Sequence, residues 1–434
     1  MTAIEELKEN PMVRRIVTSE TVKQATLIGI GTILGSFFSY LLQFFLGRTL
    51  SVSDYGTFSA LLSLSYLINV PATVLGISII KRVATYTAAK DNQTTTHVFK
   101  GLSLGSIIIG LFVTVIILLF SDYIEHRMNI DNGLLIASFA VAMGFSFISV
   151  IGPSFLQGVL KYDKWALYSV IFSFLRAVLG ALPIIIGLGL TYVFHGFSLS
   201  ILISYAFAYL LLKNIFVKVE KKKMWQEYQK ILFFGFSTFM ISMALNIINN
   251  IDMVLVKRYF DSVTAGYYAG AITVGKILLF ASTPISTLMF PAISAIYARK
   301  ENYLHKLKQL VFLQIIISVA GLLIFELFPY KITTIFFGDS FMNSVPYLKY
   351  LAVFITIYIW INFLVLFFLS IEKTRVYLLL LPGIVIQYML IYLFHNDAFD
   401  VINANIIGAG FSALILLIYL YITIKKVQYT CYNK

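Results

Sequence analysis

Charge is scarce in this chain and cysteine is nearly absent. Of 434 residues, 12% are Asp, Glu, Lys or Arg, where a soluble domain carries about 25%. A chain so poor in charge would aggregate in water. Cys431 is the single cysteine, so an intrachain disulfide and a cysteine-based metal cluster are both excluded. The five histidines (His97, His126, His195, His305 and His395) are scattered without ligand spacing, and they read as ordinary loop or interface side chains. There is no P-loop, no ABC signature and no HExxH motif, so ATP hydrolysis and zinc-protease chemistry are not expected. No catalytic constellation appears and no cofactor is expected. A cleavable signal peptide is not visible either. Residues 1–24 are polar and carry both signs of charge, and the apolar run after them is too long for an h-region.

What the chain does have is apolar length. Its residues are 59% hydrophobic and its mean hydropathy is +0.87, which excludes disorder and points to a bilayer. A spanning helix needs about 20 apolar residues. Twelve such runs are found, at 25–46, 57–80, 101–120, 133–156, 166–188, 196–214, 231–255, 264–289, 309–329, 346–370, 376–394 and 402–424. They are continuously apolar rather than alternating, which favours helices over a β-barrel.

The net charge of +13 would suit nucleic acid, but its distribution suits a membrane. With the N-terminus inside, 25 Lys and Arg fall on the inner side and 6 on the outer, leaving Arg176 and Lys276 within spans. The outer six are Arg48, Arg127, Lys257, Arg258, Lys331 and Lys349. Such bias supports both the helix count and cytoplasmic termini. No nucleic-acid partner is expected. The outer loops are short and carry no folded domain.

The longest basic linker, Lys213 to Lys230, lies between the sixth and seventh spans. It is either a plain tether or a contact for anionic headgroups. The expected organisation is a cytoplasmic segment (1–24), a six-helix bundle (25–214), the linker (215–230), a second six-helix bundle (231–424) and a cytoplasmic tail (425–434). Each half has an even number of spans. The halves are therefore expected to be parallel repeats about a pseudo-two-fold along the membrane normal, with substrate sites between them. A shift of 210 residues supports the repeat: Arg48 meets Arg258, Gly56 meets Gly266, and Thr57-Phe58 meets Tyr267-Tyr268.

Polar residues inside spans are the candidate site. Asn246, Asn249 and Asn250 share one helical face in the seventh span, and Asp252 follows near its outer end. They serve either interhelical hydrogen bonding with an interfacial carboxylate, or a cavity that meets a polar, sugar-bearing ligand. Lys276 and Arg176 lie too deep to snorkel easily. Lys276 fits a cavity and structural pairing equally; Arg176 favours pairing. Arg48 and Arg258 end the first and seventh spans, where they suit headgroup contact or, more sharply, a diphosphate. Pro71 and Gly76 interrupt the second span, and Pro284 and Pro291 the eighth. These breakers fit either bending during transport or close helix packing.

Several blocks, taken in order, resemble a known family. "FLGRTLSVSDYGTFSALLSL" (45–64) with "GISIIKRVATY" (76–86) is similar to the opening of Wzx-type polysaccharide flippases, within the multidrug/oligosaccharidyl-lipid/polysaccharide exporter superfamily. "NNIDMVLVKRYFDSVTAGYYAGA" (249–271), "MFPAISAIYAR" (289–299) and "FFGDSFMNSVPYLKYLAV" (336–353) resemble later blocks. The motif positions are Arg48, Tyr55, Gly56, Asp252, Arg258, Gly266 and Tyr268. The resemblance implies two six-helix bundles in the plasma membrane that move a polyprenyl-diphosphate-linked oligosaccharide to the outer leaflet by alternating access. It implies membrane lipids and polysaccharide assembly machinery as partners, and a drive from either an ion gradient or downstream consumption; a coupling ion, H+ or Na+, is left open because no buried acidic pair is visible. The alternatives are a cation-coupled multidrug exporter of the same fold, a lipid II flippase, or a membrane polymerase. A lipid II flippase fits less well because 25–46 lacks charge, and a polymerase because no large outer loop is present.

Overall fold

A computed structural model describes residues 20–218, 224–233 and 235–432. Lys8, Arg14, Arg15, Lys221, Lys222, Lys223 and Lys434, which enter the charge count above, lie outside the described residues. Those described are almost wholly helical, with no strand among them. The helices are α1 Glu20–Thr49, α2 Val52–Ile68, α3 Val70–Ala88, α4 Asn92–Leu119, α5 Ser121–Met128, α6 Gly133–Ser149, α7 Ile151–Gly158, α8 Tyr162–Ile185 and α9 Leu190–Leu212. They continue as α10 Trp225–Phe233, α11 Phe236–Tyr259, α12 Ser262–Ala298, α13 Leu304–Leu327, α14 Pro329–Phe337, α15 Val345–Ser370, α16 Tyr377–Leu393 and α17 Ala398–Tyr432.

Among the described residues eleven helical stretches are long and apolar enough to cross a membrane, and the bent pair α2–α3 makes a twelfth. Each coincides with one of the twelve apolar runs. The chain is thus an all-helical multi-pass membrane protein. The pair bends by 45° where Pro71, lacking a backbone N–H, stands in the first turn of α3. Asn69 fills the break, its Nδ2 donating to the Ser65 carbonyl at 2.9 Å. Pro284 and Pro291 behave differently, since α12 runs through both. The short helices α5 and α14, between the third and fourth and the ninth and tenth spans, are too short to show as apolar runs. Gly187 and Gly189, at φ +77° and +85°, separate α8 from α9, so α9 begins six residues before the expected 196.

The chain packs as two compact units, Met1–Phe45, Pro71–Ser121 and Gly133–Gly235 in one and Leu46–Val70, Asp122–Asn132 and Phe236–Lys434 in the other. In the first, the ring of Phe99 lies 5.0 Å from Phe155 and 4.7 Å from Phe216, within a core that includes fully buried Ile79, Val83, Ile151 and Leu156. Helix α10 is tied to α3 by Tyr86, whose hydroxyl donates to Glu227 at 2.6 Å. In the second unit α15 is the enclosed helix. Its span is 72% buried, against 28% for the spans of α13, α16 and α17. The exposed faces of those three carry side chains such as Phe312, Leu393 and Ile418, as lipid contact requires.

Candidate functional site

The candidate site lies in the second unit and begins with a helix crossing. The repeat-related glycines Gly56 of α2 and Gly266 of α12 face each other. A Cβ on Gly56 would stand 2.6 Å from the Gly266 nitrogen, and one on Gly266 would stand 2.0 Å from the Val52 carbonyl oxygen. Only glycine at both positions lets the two backbones approach this closely. Tyr55 beside the crossing is fully buried. Its hydroxyl pairs with Thr273 at 3.1 Å, and its ring meets Phe337 and Phe341 at 5.1 and 5.6 Å.

The arginine and lysine of the two turns are engaged by helix ends. Arg48 donates to the carbonyls of Thr334, Ile335 and Phe336 at 3.2, 2.5 and 3.3 Å. These are carbonyls of the last turn of α14, at the negative end of the helix dipole; Thr334 O also accepts from the Gly338 amide at 3.0 Å. Lys257 is fully enclosed. Its ammonium donates to the Asn129 carbonyl, just beyond α5, at 3.3 Å and to the Ser262 hydroxyl. Asp261, Asp131 and Asp54 lie within its electrostatic reach. Arg258 is half-buried, its guanidinium 5.3 Å from the centre of the Tyr259 ring.

Below these turns runs a polar row through otherwise apolar helices. In α11, Asn246 Nδ2 donates to Ser242 O at 2.9 Å and Asn250 Nδ2 to Asn246 O at 3.2 Å. Lys276 of α12 donates to Asn250 Oδ1 at 3.0 Å. Next comes Asp252, which is fully buried. Its Oδ2 accepts from the Tyr268 hydroxyl at 2.5 Å and from Asn405 Nδ2 of α17 at 3.0 Å. Gln387 of α16 closes the row, donating to Asn405 Oδ1 at 2.8 Å and to the Ile248 carbonyl at 3.2 Å. Three buried acceptor oxygens there have no hydrogen-bond partner: Asp252 Oδ1, Asn249 Oδ1 and Gln387 Oε1. Such groups are costly in an apolar interior unless something answers them.

The expectations divide accordingly. Asn246, Asn250 and Lys276 join in one chain of hydrogen bonds, as interhelical bonding from α11 requires. Asp252 is not the interfacial carboxylate its position suggested, because Tyr268 and Asn405 enclose it. Arg176 stacks on Phe197 in the first unit, 4.5 Å from the ring centre. Asn405 and Gln387 escaped the sequence reading. Each is a polar amide within a long apolar span, and the rule that singled out Asn246 would have found them. Among the described residues no group of three or more His, Cys, Asp or Glu is placed to hold a metal ion.

Twelve spans with a polar and ionisable row inside one unit define a multi-pass membrane protein. Comparison with known proteins gives the family. The sequence matches the family described as "Polysaccharide biosynthesis protein" over residues 21–297, well over half of the chain, and the protein belongs to that family. No curated protein matches it. Among solved structures it resembles an inward-facing multidrug resistance MATE family transporter of the MOP superfamily, at 15% identity and TM-score 0.76, with 94% of this chain and 99% of that one covered. It also resembles the lipid II flippase MurJ in an inward closed conformation, at 14% identity and TM-score 0.71, with 91% and 87% covered. A MOP superfamily transporter from Pyrococcus furiosus aligns at 17% identity and TM-score 0.61, with 94% and 96% covered. These likenesses identify the fold.

Proposed function

We propose that this protein is a flippase for surface polysaccharide biosynthesis, which carries a polyprenyl-diphosphate-linked oligosaccharide from the inner to the outer leaflet of the plasma membrane by alternating access. It is read as a transporter without a catalytic step, with its termini cytoplasmic. Membership of the polysaccharide biosynthesis family is the observation that carries this reading. The name of the MurJ neighbour, a lipid II flippase, is consistent with a lipid-linked cargo. The amides of Asn246, Asn249 and Asn250 and the ammonium of Lys276 are the proposed contacts for sugar and phosphate oxygens, with Arg48 and Arg258 as diphosphate ligands at the turns. Arg48 would have to exchange its α14 carbonyls for phosphate oxygens, so its engagement is proposed to alternate with transport.

A coupling ion, H+ or Na+, is assigned to the neighbourhood of Asp252. The fit rests on Asp252 Oδ1, Asn249 Oδ1 and Gln387 Oε1, three buried acceptor oxygens with no hydrogen-bond partner, the donor type that a proton or a hard cation takes. The ion would supply gradient energy; the residues hold and release it.

A strain lacking the protein should accumulate the lipid-linked repeat unit on the inner leaflet and lose surface glycan. Surface glycan at the normal level with no accumulation would defeat the proposal. The MATE likeness favours one second reading, a cation-coupled drug exporter. That reading predicts raised drug resistance on overexpression, and the flippase reading predicts none.

A further inference from the structure

The tenth and eleventh spans are joined by a tight turn that carries charge of both signs. Glu372 sits in it at φ +63°, and a short 3-10 helix, Thr374–Val376, leads into α16. A pocket of about 410 Å³ opens there, and Glu372, Lys373, Arg375, Leu378, Leu379 and Tyr419 are among the residues that line it. The ammonium of Lys373 rests 5.2 Å from the centre of the Tyr419 ring, and that ring packs on Phe368 at 4.8 Å. The lysine is therefore held at the pocket rather than loose in solvent, as a cation over an aromatic face is. Arg375 is exposed beside it.

The pocket's surroundings mark its depth. Leu378 and Leu381 of α16 and Ile418, Tyr421 and Ile422 of α17 are exposed large apolar side chains, the lipid-facing surface of two spanning helices. The pocket thus has acyl chains on one side and water on the other. Neither the transport row of Asn246 to Lys276 nor the coupling group Asp252 includes any of its residues.

We infer that this pocket binds the headgroup of a membrane glycerophospholipid, with the phosphodiester on Lys373 and Arg375 and the first acyl carbons on Leu378 and Leu379. Basic pockets between spanning helices take phosphate-bearing headgroups for the same electrostatic reason. Glu372 adds selectivity. A carboxylate at the lip repels a bare diphosphate or an anionic headgroup and attracts an ammonium, so phosphatidylethanolamine is favoured over phosphatidylglycerol. The site is a lipid anchor at the α15–α16 turn, separate from the cargo path, and it does not depend on the flippase reading.

The test is native mass spectrometry of the full chain in detergent micelles, titrated separately with phosphatidylethanolamine, phosphatidylglycerol and inorganic diphosphate. The Lys373→Ala/Arg375→Ala variant should lose about 30-fold in affinity for phosphatidylethanolamine, two basic contacts' worth. A Lys300→Ala control should lose nothing. Glu372→Gln should erase the preference for phosphatidylethanolamine over phosphatidylglycerol. Should the double variant fail to fold, Lys373→Arg/Arg375→Lys, which keeps both charges, should bind as wild type. Unchanged binding in the double variant overturns the inference. Diphosphate that displaces the lipid at equal concentration overturns it too, because the site would then read phosphate without lipid.

Discussion

The two copies of the repeat turn share a shape and differ in chemistry. Gly56 and Gly266 occupy matching positions and pack on each other. Around them the correspondence fails. A shift of 210 places Leu42 where the second copy has Asp252, Phe58 where it has Tyr268, and Tyr66 where it has Lys276. Leu42 is 5% exposed and packs over Gly180 in the first unit. Asp252 is equally hidden, yet it is hydrogen-bonded to Tyr268 and Asn405. One copy solved burial with hydrocarbon and the other with a polar network. Close packing holds both, and ionisable chemistry belongs to the second.

The sharpest way to break this contrast is to exchange the two positions. Leu42→Asp should be the most damaging change, costing about 3–5 kcal/mol, because it buries a carboxylate with no partner. Loss of folded protein in fluorescence-detected size exclusion would register it. Asp252→Asn should fold almost normally, since an amide still accepts from Tyr268, and should abolish ion-dependent transport in proteoliposomes. A folded Leu42→Asp, or an Asp252→Asn that transports as wild type, would erase the difference between the copies.

The glycine crossing comes next, and it tests what the copies share. Gly266→Ala would push a methyl onto the Val52 carbonyl, which is backbone and cannot swing aside. A cost of about 1–3 kcal/mol is expected, with Gly56→Ala similar or milder. Gly105→Ala is the control, as nothing lies within 4 Å of a Cβ there. Equal melting temperatures for all three would show that the crossing is not under pressure.

A smaller effect separates the turn cations. Arg48 is exposed and Lys257 enclosed. Arg48→Ala should cost about 1 kcal/mol by uncapping α14. Lys257→Ala should cost more, since Asp54, Asp131 and Asp261 lose their counter-charge. In transport, Arg48→Ala and Arg258→Ala should both fall below Arg127→Ala, a change in the short helix α5. Equal transport in all three would remove the diphosphate role from the turns.

These contrasts also mark what was legible in the chain. Spans were legible because the bilayer forces each one to be a continuous apolar run, and all twelve appear. Gly56 and Gly266 were legible because glycine at matching positions has few other uses. The enclosure of Asp252 was not. Position along the seventh span put it near an interface, but burial depends on Asn405 and Gln387, more than a hundred residues away in sequence. The ties of Arg48 were hidden for a related reason. Its partners are main-chain carbonyls of α14, and a carbonyl acceptor leaves no mark in side-chain sequence.

The smallest difference between the copies lies in their helix caps, and pH resolves it. Ser51 caps α2, its hydroxyl accepting from the Asp54 amide at 3.1 Å. Asp261 caps α12, accepting from the amides of Val263 and Thr264 at 3.0 and 3.1 Å and from the Thr264 hydroxyl at 2.6 Å. The Thr264 hydroxyl first, and then the two amides, hold the Asp261 carboxyl below its ordinary value. Removal of either cap should cost about 1 kcal/mol at neutral pH. A carboxyl with a lowered folded pKa stabilises fully above its unfolded value, about 3.9, and that stability is lost as pH falls through the folded value. The melting-temperature gap between wild type and Asp261→Ala should therefore hold from pH 7 to about 5 and shrink below about 4. The Ser51 cap is a hydroxyl rather than a carboxyl, and it also donates to Asp54 Oδ2 at 2.7 Å. A gap for Asp261→Ala that stays constant down to pH 3 would mean that its charge adds nothing to the cap, and the two copies would then begin their second helices in the same way.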